Sequence, residues 1–458
     1  MIRLTLTAAA SAFALAGCAS FSNDGGMNHV SSLTQERVGH GLAYQREEND
    51  ALSARTRVSE LLQAPLSGDG AVELALLNNR GLQARFGELG VSEAELVQAG
   101  RLRNPVVSLG RLAGGGALEV DRSVMFDILG LLTLPGRTQV ARQRFEQAQY
   151  GAAADAVRAA TEAREAFFEA VAAKQLADYA QQVKETADAS NDLARGMVQA
   201  GNMSKLDQMR EQAFYADATA EVARARQRSV IARERLVRAL GLGDNHVDLK
   251  LPDRLPDLPA EPAQARDAEQ TALDKRLDIL AARRETEATA RQLGLTQASG
   301  FVDVLDVGWQ NKSQRGSPQE RGGELQFDIP IFDFGGTARA RAKAQYLQSV
   351  NRTASIVVDA RSQAREAYGG YRTAYDLARH YRDEVVPLHK RISEENVLRY
   401  NGMLIDVFQL LADAREQVAS VTASIEATRD YWLADSRLKA ALTGGSPTPA
   451  NGPPASNP

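Results

Sequence analysis

"LQFDIPIFDFGGTARARAKAQ" (residues 325–345) changes its period halfway. Leu325, Phe327, Ile329 and Ile331 alternate with Gln326, Asp328, Pro330 and Phe332, the period-two pattern of a strand. Gly335 and Gly336 interrupt it, and an alanine-rich, charged run with no helix breaker follows. Upstream, "FDILGLLTLPGRTQVARQR" (126–144) makes the same passage from an apolar run to a polar helix. The chain therefore passes twice from a strand straight into a long helix.

Composition narrows what such a chain does. Its 458 residues carry a net charge of -4, which disfavours nucleic acid as a partner. Aromatic residues make up only 6%, few for a thick globular core and ordinary for long thin helices. The histidines are His29, His40, His246, His380 and His389. His380 and His389 fall on opposite sides of a helix, wrong for shared ligation. No His-Glu-x-x-His, P-loop or Gly-x-Ser-x-Gly occurs, and "GRLAGGGALE" (110–119) lacks the strand–turn–helix setting of a phosphate cradle. The expectation is a protein that is not an enzyme, with no metal site and no cofactor beyond a covalent lipid.

That lipid is expected on Cys18, the single cysteine, which has no partner for an internal disulfide. Arg3 precedes an apolar run from Leu4 to Leu15, too short to span a bilayer and suited to a signal peptide over residues 1–17. The run ends Leu15-Ala16-Gly17-Cys18, similar to the lipobox of bacterial lipoproteins, in which the cysteine becomes the acylated N-terminus. Ala19, where an aspartate often marks inner-membrane retention in that class, favours the outer membrane.

Residues 18–70 read as a polar, extended leader, and 443–458 ("TGGSPTPANGPPASNP" from Thr443) as a disordered tail. Between them one order of elements occurs twice, over 71–243 and 268–442. The first copy predicts a helix over 71–101, strands near 104–111 and 124–134, and long helices over 138–200 and 204–240. The second predicts a helix over 268–294, strands near 301–310 and 324–332, and long helices over 337–400 and 403–442. "ALLNNRGLQA" (75–84) matches "TALDKRLDILA" (271–281). Pro252, Pro256, Pro259 and Pro262 make 244–267 a stiff, extended connector.

A helix over 138–200 would measure about 90 Å, far beyond a globular helix. Its stripe of Phe168, Val171, Tyr179 and Val183 is narrow and otherwise filled by alanine, which suits close packing in a coiled-coil sheet or tube. The strands have the length that crosses a bilayer when tilted. Leu325, Phe327 and Ile329 would face lipid while Glu324, Gln326 and Asp328 face water. The strand at 301–310 is less clean, because Asp303 shares a face with Phe301, Leu305, Val307 and Trp309. Four strands cannot close a barrel, and an open edge in lipid leaves backbone groups unpaired at several kcal/mol each. Copies must pool strands: two give eight, three give twelve with room for a bore.

Taken in order and repeated twice, several features resemble the TolC-like outer-membrane efflux proteins, in their lipoprotein branch, over residues 60–442. These are Asn104-Pro105, the corners Leu134-Pro135-Gly136-Arg137 and Phe334-Gly335-Gly336-Thr337, and the tips "VQAGNMSKLDQM" (198–209) and "RYNGMLIDVFQLL" (399–411). The resemblance implies a mainly α fold with a membrane β-barrel contribution. It implies four strands per chain, a homotrimeric twelve-stranded barrel continuous with a coiled-coil tube, and docking to a periplasmic adaptor and an inner-membrane pump. The first tip keeps the family's glycine, hydroxyl and acid as Gly201, Ser204 and Asp207. These either contact the adaptor or start the next helix by capping. The second keeps Gly402 and then departs, with Ile405 for the hydroxyl and Phe408 for the acid. Asp406 is left either as a lumen-facing gate, three copies ringing the axis, or as a solvated helix charge. The competing function is a lipid-anchored periplasmic coiled-coil scaffold without a pore, which needs no membrane-length alternating strands. The transported substrate, small molecule or metal ion, is not encoded in these features.

Overall fold

The computed structural model describes residues 20–444 except 115–116, 244–248, 265–266, 303, 315–316 and 330. The expected signal segment, Cys18, Ala19 and residues 445–458 lie outside the described residues.

The leader is not extended throughout. It holds helices α1 (Met27–Val38) and α2 (Glu48–Leu61). A capping box starts α2: the Glu47 side chain accepts the backbone N–H at Asp50, whose carboxylate accepts Glu47 N–H at 3.1 Å. Ser67 caps α3 (Gly68–Asn78) by accepting Gly70 N–H at 3.0 Å. The single helix expected over 71–101 is broken, and α4 runs Arg80–Ala99. Asn79 between them is extended, with ψ 111°. Its Nδ2 donates to Ala239 O at 3.1 Å and its Oδ1 accepts Leu82 N–H at 3.1 Å. One side chain thus caps the start of α4 and supplies a donor for the last carbonyls of another helix, which outweighs continuing its own.

After α4 come β1 (Val106–Gly114), β2 (Ala117–Asp127), α5 (Ile128–Gln199) and α6 (Lys205–Ala239). The second half opens on α7 (Ala268–Lys275) and α8 (Leu277–Ser299), where a single helix was expected over 268–294. Arg276 breaks it as Asn79 breaks the first: ψ is 125°, and buried Nη1 donates to Ala441 O at 3.0 Å. Strands β3 (Leu305–Gln314) and β4 (Glu320–Phe327) lead to α9 (Gly336–His380), α10 (Val386–Asn401) and α11 (Val407–Thr443). The expected helix over 337–400 is interrupted by one π turn, Tyr381–Val385, where Val386 N–H reaches Tyr381 O. Pro387 explains the turn: lacking an N–H, it cannot continue the α ladder, and the preceding turn widens.

The chain divides into two compact units. The first comprises residues up to Val30, Arg85–Ala153 and Leu277–Val358, and holds the sheet. Short hydroxyl pairs join its helices α8 and α9, Thr286 to Thr353 at 2.9 Å and Thr289 to Ser349 at 2.7 Å. Small polar residues there let the helix backbones approach closely.

The second unit comprises Ser31–Ala84, Ala154–Arg276 and Asp359 onward. Its core packs Leu66, Leu74, Phe167, Phe168, Leu236 and Leu240. The proline-rich segment, expected as a connector, is part of this core. Leu249 and Leu255 are buried in that cluster, and Leu258 in a second with Tyr371, Tyr375 and Tyr431. Each proline leaves a carbonyl to satisfy and no N–H of its own. Trp432 Nε1 donates to Pro256 O at 3.0 Å, and the Tyr375 hydroxyl donates to Pro259 O at 3.1 Å and Ala260 O at 2.8 Å. Residues 249–264 thus form a strap held by aromatic donors.

Candidate functional site: a two-faced sheet and two helical tips

The four strands lie in chain order, β1-β2-β3-β4, all neighbours antiparallel. Each strand ends nearer its hairpin turn than expected: β2 stops at Asp127 rather than near 134, and β4 at Phe327 rather than near 332, while β1 and β3 extend to Gly114 and Gln314. Register then decides which residues share a face. Val107 pairs with Val124, which pairs with Trp309. Phe126 pairs with Val307, and Val307 with Leu325; Leu305 pairs with Phe327. With Leu109, Leu118 and Val120 these make one apolar face, and Leu109 is 77% exposed. The opposite face carries Ser108, Glu119, Asp121, Ser123, Asp306, Gln310, Lys312, Glu320, Glu324 and Gln326, with Val106, Leu112 and Met125 as its apolar members. The flaw foreseen in β3 does not arise within the strand, because β3 starts at Leu305 and residue 303 lies outside the described residues. Among the described residues β1 pairs only with β2, and β4 only with β3, so both outer edges of the sheet are open.

An Asp-x-x-Gly step starts the helix that follows each strand pair, α5 and α9. Asp127 Oδ1 accepts Gly130 N–H at 2.5 Å, and Asp333 Oδ1 accepts Gly336 N–H at 2.8 Å. The first corner therefore sits at Asp127, and Leu134-Pro135-Gly136-Arg137 lies inside α5. An apolar run such as Ile128–Leu134 cannot be assigned to strand or helix by periodicity alone; the aspartate was the available signal. At the second corner Gly335 has φ 74°, and a Cβ there would stand 1.7 Å from Gly300 O, so only glycine fits. Ile329, Ile331, Phe332 and Phe334 around it are all exposed.

The tips sit in the second unit. At the first, Gly201 N–H reaches Val198 O at 3.0 Å and Asn202 N–H reaches Met197 O at 2.8 Å, a Schellman close with Gly201 at φ 77°. Ser204 Oγ then accepts Asp207 N–H at 3.1 Å and donates to Asp207 Oδ2 at 2.7 Å, which starts α6. At the second tip the same pair of bonds runs from Met403 to Tyr400 O and from Leu404 to Arg399 O, both at 2.9 Å. The left-handed residue is Met403, φ 56°, and Gly402 is the preceding cap at φ -81°. The counterpart of Gly201 is therefore Met403, not Gly402. The shift by one residue restores the motif: Asp406, three past Met403, takes the place of Ser204, and its Oδ1 accepts Gln409 N–H at 2.8 Å. Asp406 is an N-cap, and α11 starts at Val407 rather than 403.

Sequence reasoning missed a polar contact behind the first tip. Glu211, two turns past Ser204, is 1% exposed; it accepts Ser190 Oγ at 3.0 Å and Arg415 Nη2 at 2.8 Å. Arg415 lies over the Phe214 ring, 4.5 Å from its centroid. The equivalent acid behind the second tip, Asp413, accepts Asn396 Nδ2. An acid two turns past each cap was the signal, visible only once the tips are aligned on Met403.

Among the described residues no cluster of His, Cys, Asp and Glu could hold a metal ion, and no helix is long and apolar enough to cross a membrane. No protein-family model and no curated protein matches the chain. Its architecture is shared by solved structures. The outer-membrane channel OprN aligns with a TM-score of 0.71 at 20% identity, over 85% of this chain and 92% of that one. The outer membrane protein VceC of Vibrio cholerae aligns at 0.67 and 15% identity, over 86% and 97%. The open state of the MtrE outer membrane channel of Neisseria gonorrhoeae aligns at 0.68 and 17% identity, over 82% and 88%. With its four antiparallel strands, its two helical tips and these neighbours, the chain has the fold of the TolC-like outer-membrane efflux channels.

Proposed function

We propose that the chain is the outer-membrane channel of a tripartite efflux or type I secretion system, a passive duct for small molecules or metal ions. The observation that carries this is the sheet: one face apolar and exposed, the other polar, with both edges open. In water such an edge invites aggregation, and in lipid it is untenable. Pairing β4 of one copy with β1 of the next removes both defects, and three copies give a twelve-stranded barrel with a water-filled bore. Ile329, Ile331, Phe332 and Phe334 then lie where the strands leave the membrane, the position of an interfacial aromatic belt.

In this reading the element order repeated in the two halves is a duplicated unit. Acyl chains on Cys18 hold each chain to the outer membrane, and long helices continue the wall into the periplasm. The tips, with Ser204, Asp207 and the turns at Gly201 and Gly402, meet a periplasmic adaptor that joins the duct to an inner-membrane pump. The pump supplies the energy. Asp406 from three copies would ring the tip, while its bond to Gln409 engages one carboxylate oxygen.

The test is migration and conductance of the purified, acylated protein. A heat-modifiable trimer that produces unitary steps in a planar bilayer is the expected result. A monomer in detergent that is electrically silent supports the scaffold instead.

A further inference from the structure

Register sorts the charges of the strands as strictly as their apolar residues. The apolar face carries Arg111, Arg122 and Arg321 and, among the described residues, no acid. The other face carries Glu119, Asp121, Asp127, Asp306, Glu320 and Glu324, with Lys312 its one base among the described strand residues. Arg122 and Arg321 stand in one row on either side of Asn311, and Arg111 stands one row nearer the hairpin turns. Strand spacing and rise put neighbouring arginine Cα atoms about 8–10 Å apart, within reach of a shared anion for side chains of this length. All three are exposed. Among the described residues Arg111 and Arg122 make no ion pair, and the Arg321 guanidinium donates only to the neutral Gln319 Oε1, at 3.0 Å.

A charge on a lipid-facing wall is costly unless it reaches the membrane boundary or an anion. Snorkelling to the boundary favours the long arginine side chain over a short acid, but it does not require three arginines to gather in two adjacent rows within reach of one anion. Guanidinium groups match phosphate in fixed, bidentate geometry. We propose that Arg111, Arg122 and Arg321 form a phosphate-binding girdle on the outer wall of the barrel, occupied by phosphorylated lipid of the leaflet toward which the hairpin turns point. The apolar residues on the corner side of the girdle, Trp309 and Val124 among them, accept the acyl chains of that lipid, a contact that free phosphate cannot make. This inference rests on the barrel reading. In a ring of copies β4 lies beside the next β1, so Arg321 of one chain and Arg111 of the next continue the girdle.

The test compares retention of a diphosphorylated glycolipid of the lipid A type with that of its dephosphorylated form, on trimers in nanodiscs of zwitterionic lipid, read by native mass spectrometry. The unaltered protein retains the phosphorylated form in preference. Each of Arg111→Gln, Arg122→Gln and Arg321→Gln lowers that preference about fivefold, whereas Lys312→Gln on the bore face leaves it unchanged. Equal retention of the two lipids by the unaltered protein overturns the girdle, and needs no variant to fold. A preference that survives all three substitutions overturns it too. In either case a trimer that still conducts leaves the barrel reading standing, while a monomeric, silent protein brings down both.

Discussion

At the first helical tip the left-handed residue is Gly201, and at the second it is Met403, yet both tips close with the same two hydrogen bonds. A side chain in that region costs about 1–2 kcal/mol. Met403 is also 93% exposed, so no packing contact of its own offsets the strain. The closing bonds and the cap behind them hold the backbone, and the side chain conforms. Tip geometry is therefore set by the pattern of donors and acceptors around the turn, and glycine is a convenience within it.

The largest difference between the tips lies in the acids behind them. Glu211 is buried against a cation, and Asp413 accepts from a neutral amide. Removing Glu211 strands a guanidinium whose Nε already lacks a partner. Glu211→Ala should cost about 3 kcal/mol, the low end for a broken buried pair because Arg415 is a third exposed. Asp413→Ala should cost about 1.5 kcal/mol, the low end for a hydrogen bond to a charged group, because no buried cation is stranded. Hydrogen exchange at the amides of α6 and α11 measures both. Equal losses would mean that Arg415 is held by Phe214 alone.

The left-handed residues come next. Gly201→Ala should destabilise the first tip by about 1 kcal/mol. Met403→Gly should stabilise the second by less than that, since relief of strain is partly cancelled by a freer unfolded chain. Gly402→Ala should be nearly silent, because Gly402 is not left-handed and a Cβ there would meet only ordinary contacts of 3.5 Å or more. A large loss in Gly402→Ala with none in Met403→Gly would overturn the alignment of the tips.

The caps sharpen the comparison further. Ser204→Ala and Asp406→Ala should each cost about 1 kcal/mol, and Asp406→Asn only a few tenths, because asparagine caps as well as aspartate. Asp406→Asn removes the charge and keeps the cap, so single-channel cation selectivity of that variant isolates any role as a gate. Unchanged selectivity confines Asp406 to starting α11.

The long helices and the two strand pairs were legible in the sequence because each rests on local periodicity. What was not legible depended on partners distant in the chain. Asn79 and Arg276 break helices that their neighbours would continue, because each donates to carbonyls at the end of another helix. Pro256 and Pro259 read as part of a stiff, extended connector until Trp432 and Tyr375 supply donors to their carbonyls. At the second tip a glycine one residue early drew the alignment to Gly402, when the hydroxyl-to-acid exchange of Ser204 for Asp406 held the better match. Both are caps, and a pattern of residue types hides what a pattern of roles shows. The end of β2 was hidden for a related reason: Asp127 ends it by starting α5, while the apolar run continues to Leu134.

The strap offers the smallest contrast between the halves. Helix α9 holds it by the uncharged Tyr375 hydroxyl, and α5 by charge, Lys174 Nζ donating to Asp253 at 2.8 Å. That hydrogen bond from Lys174 holds the Asp253 carboxyl below its usual range. Its contribution is therefore complete above the unfolded carboxylate value, about 4, and is lost as pH falls through the lower folded value. Asp253 is almost wholly exposed, so the effect is small. Lys174→Gln should leave the strap amides near Leu255 slightly less protected from exchange at neutral pH, and the gap from the unaltered protein should close in acid. Tyr375→Phe also loosens the strap, but its gap should not depend on pH over that range, because the hydroxyl bonds to carbonyls that do not titrate. A Lys174→Gln gap that persists unchanged in acid would show that the lysine holds the strap by packing its stem rather than by its charge.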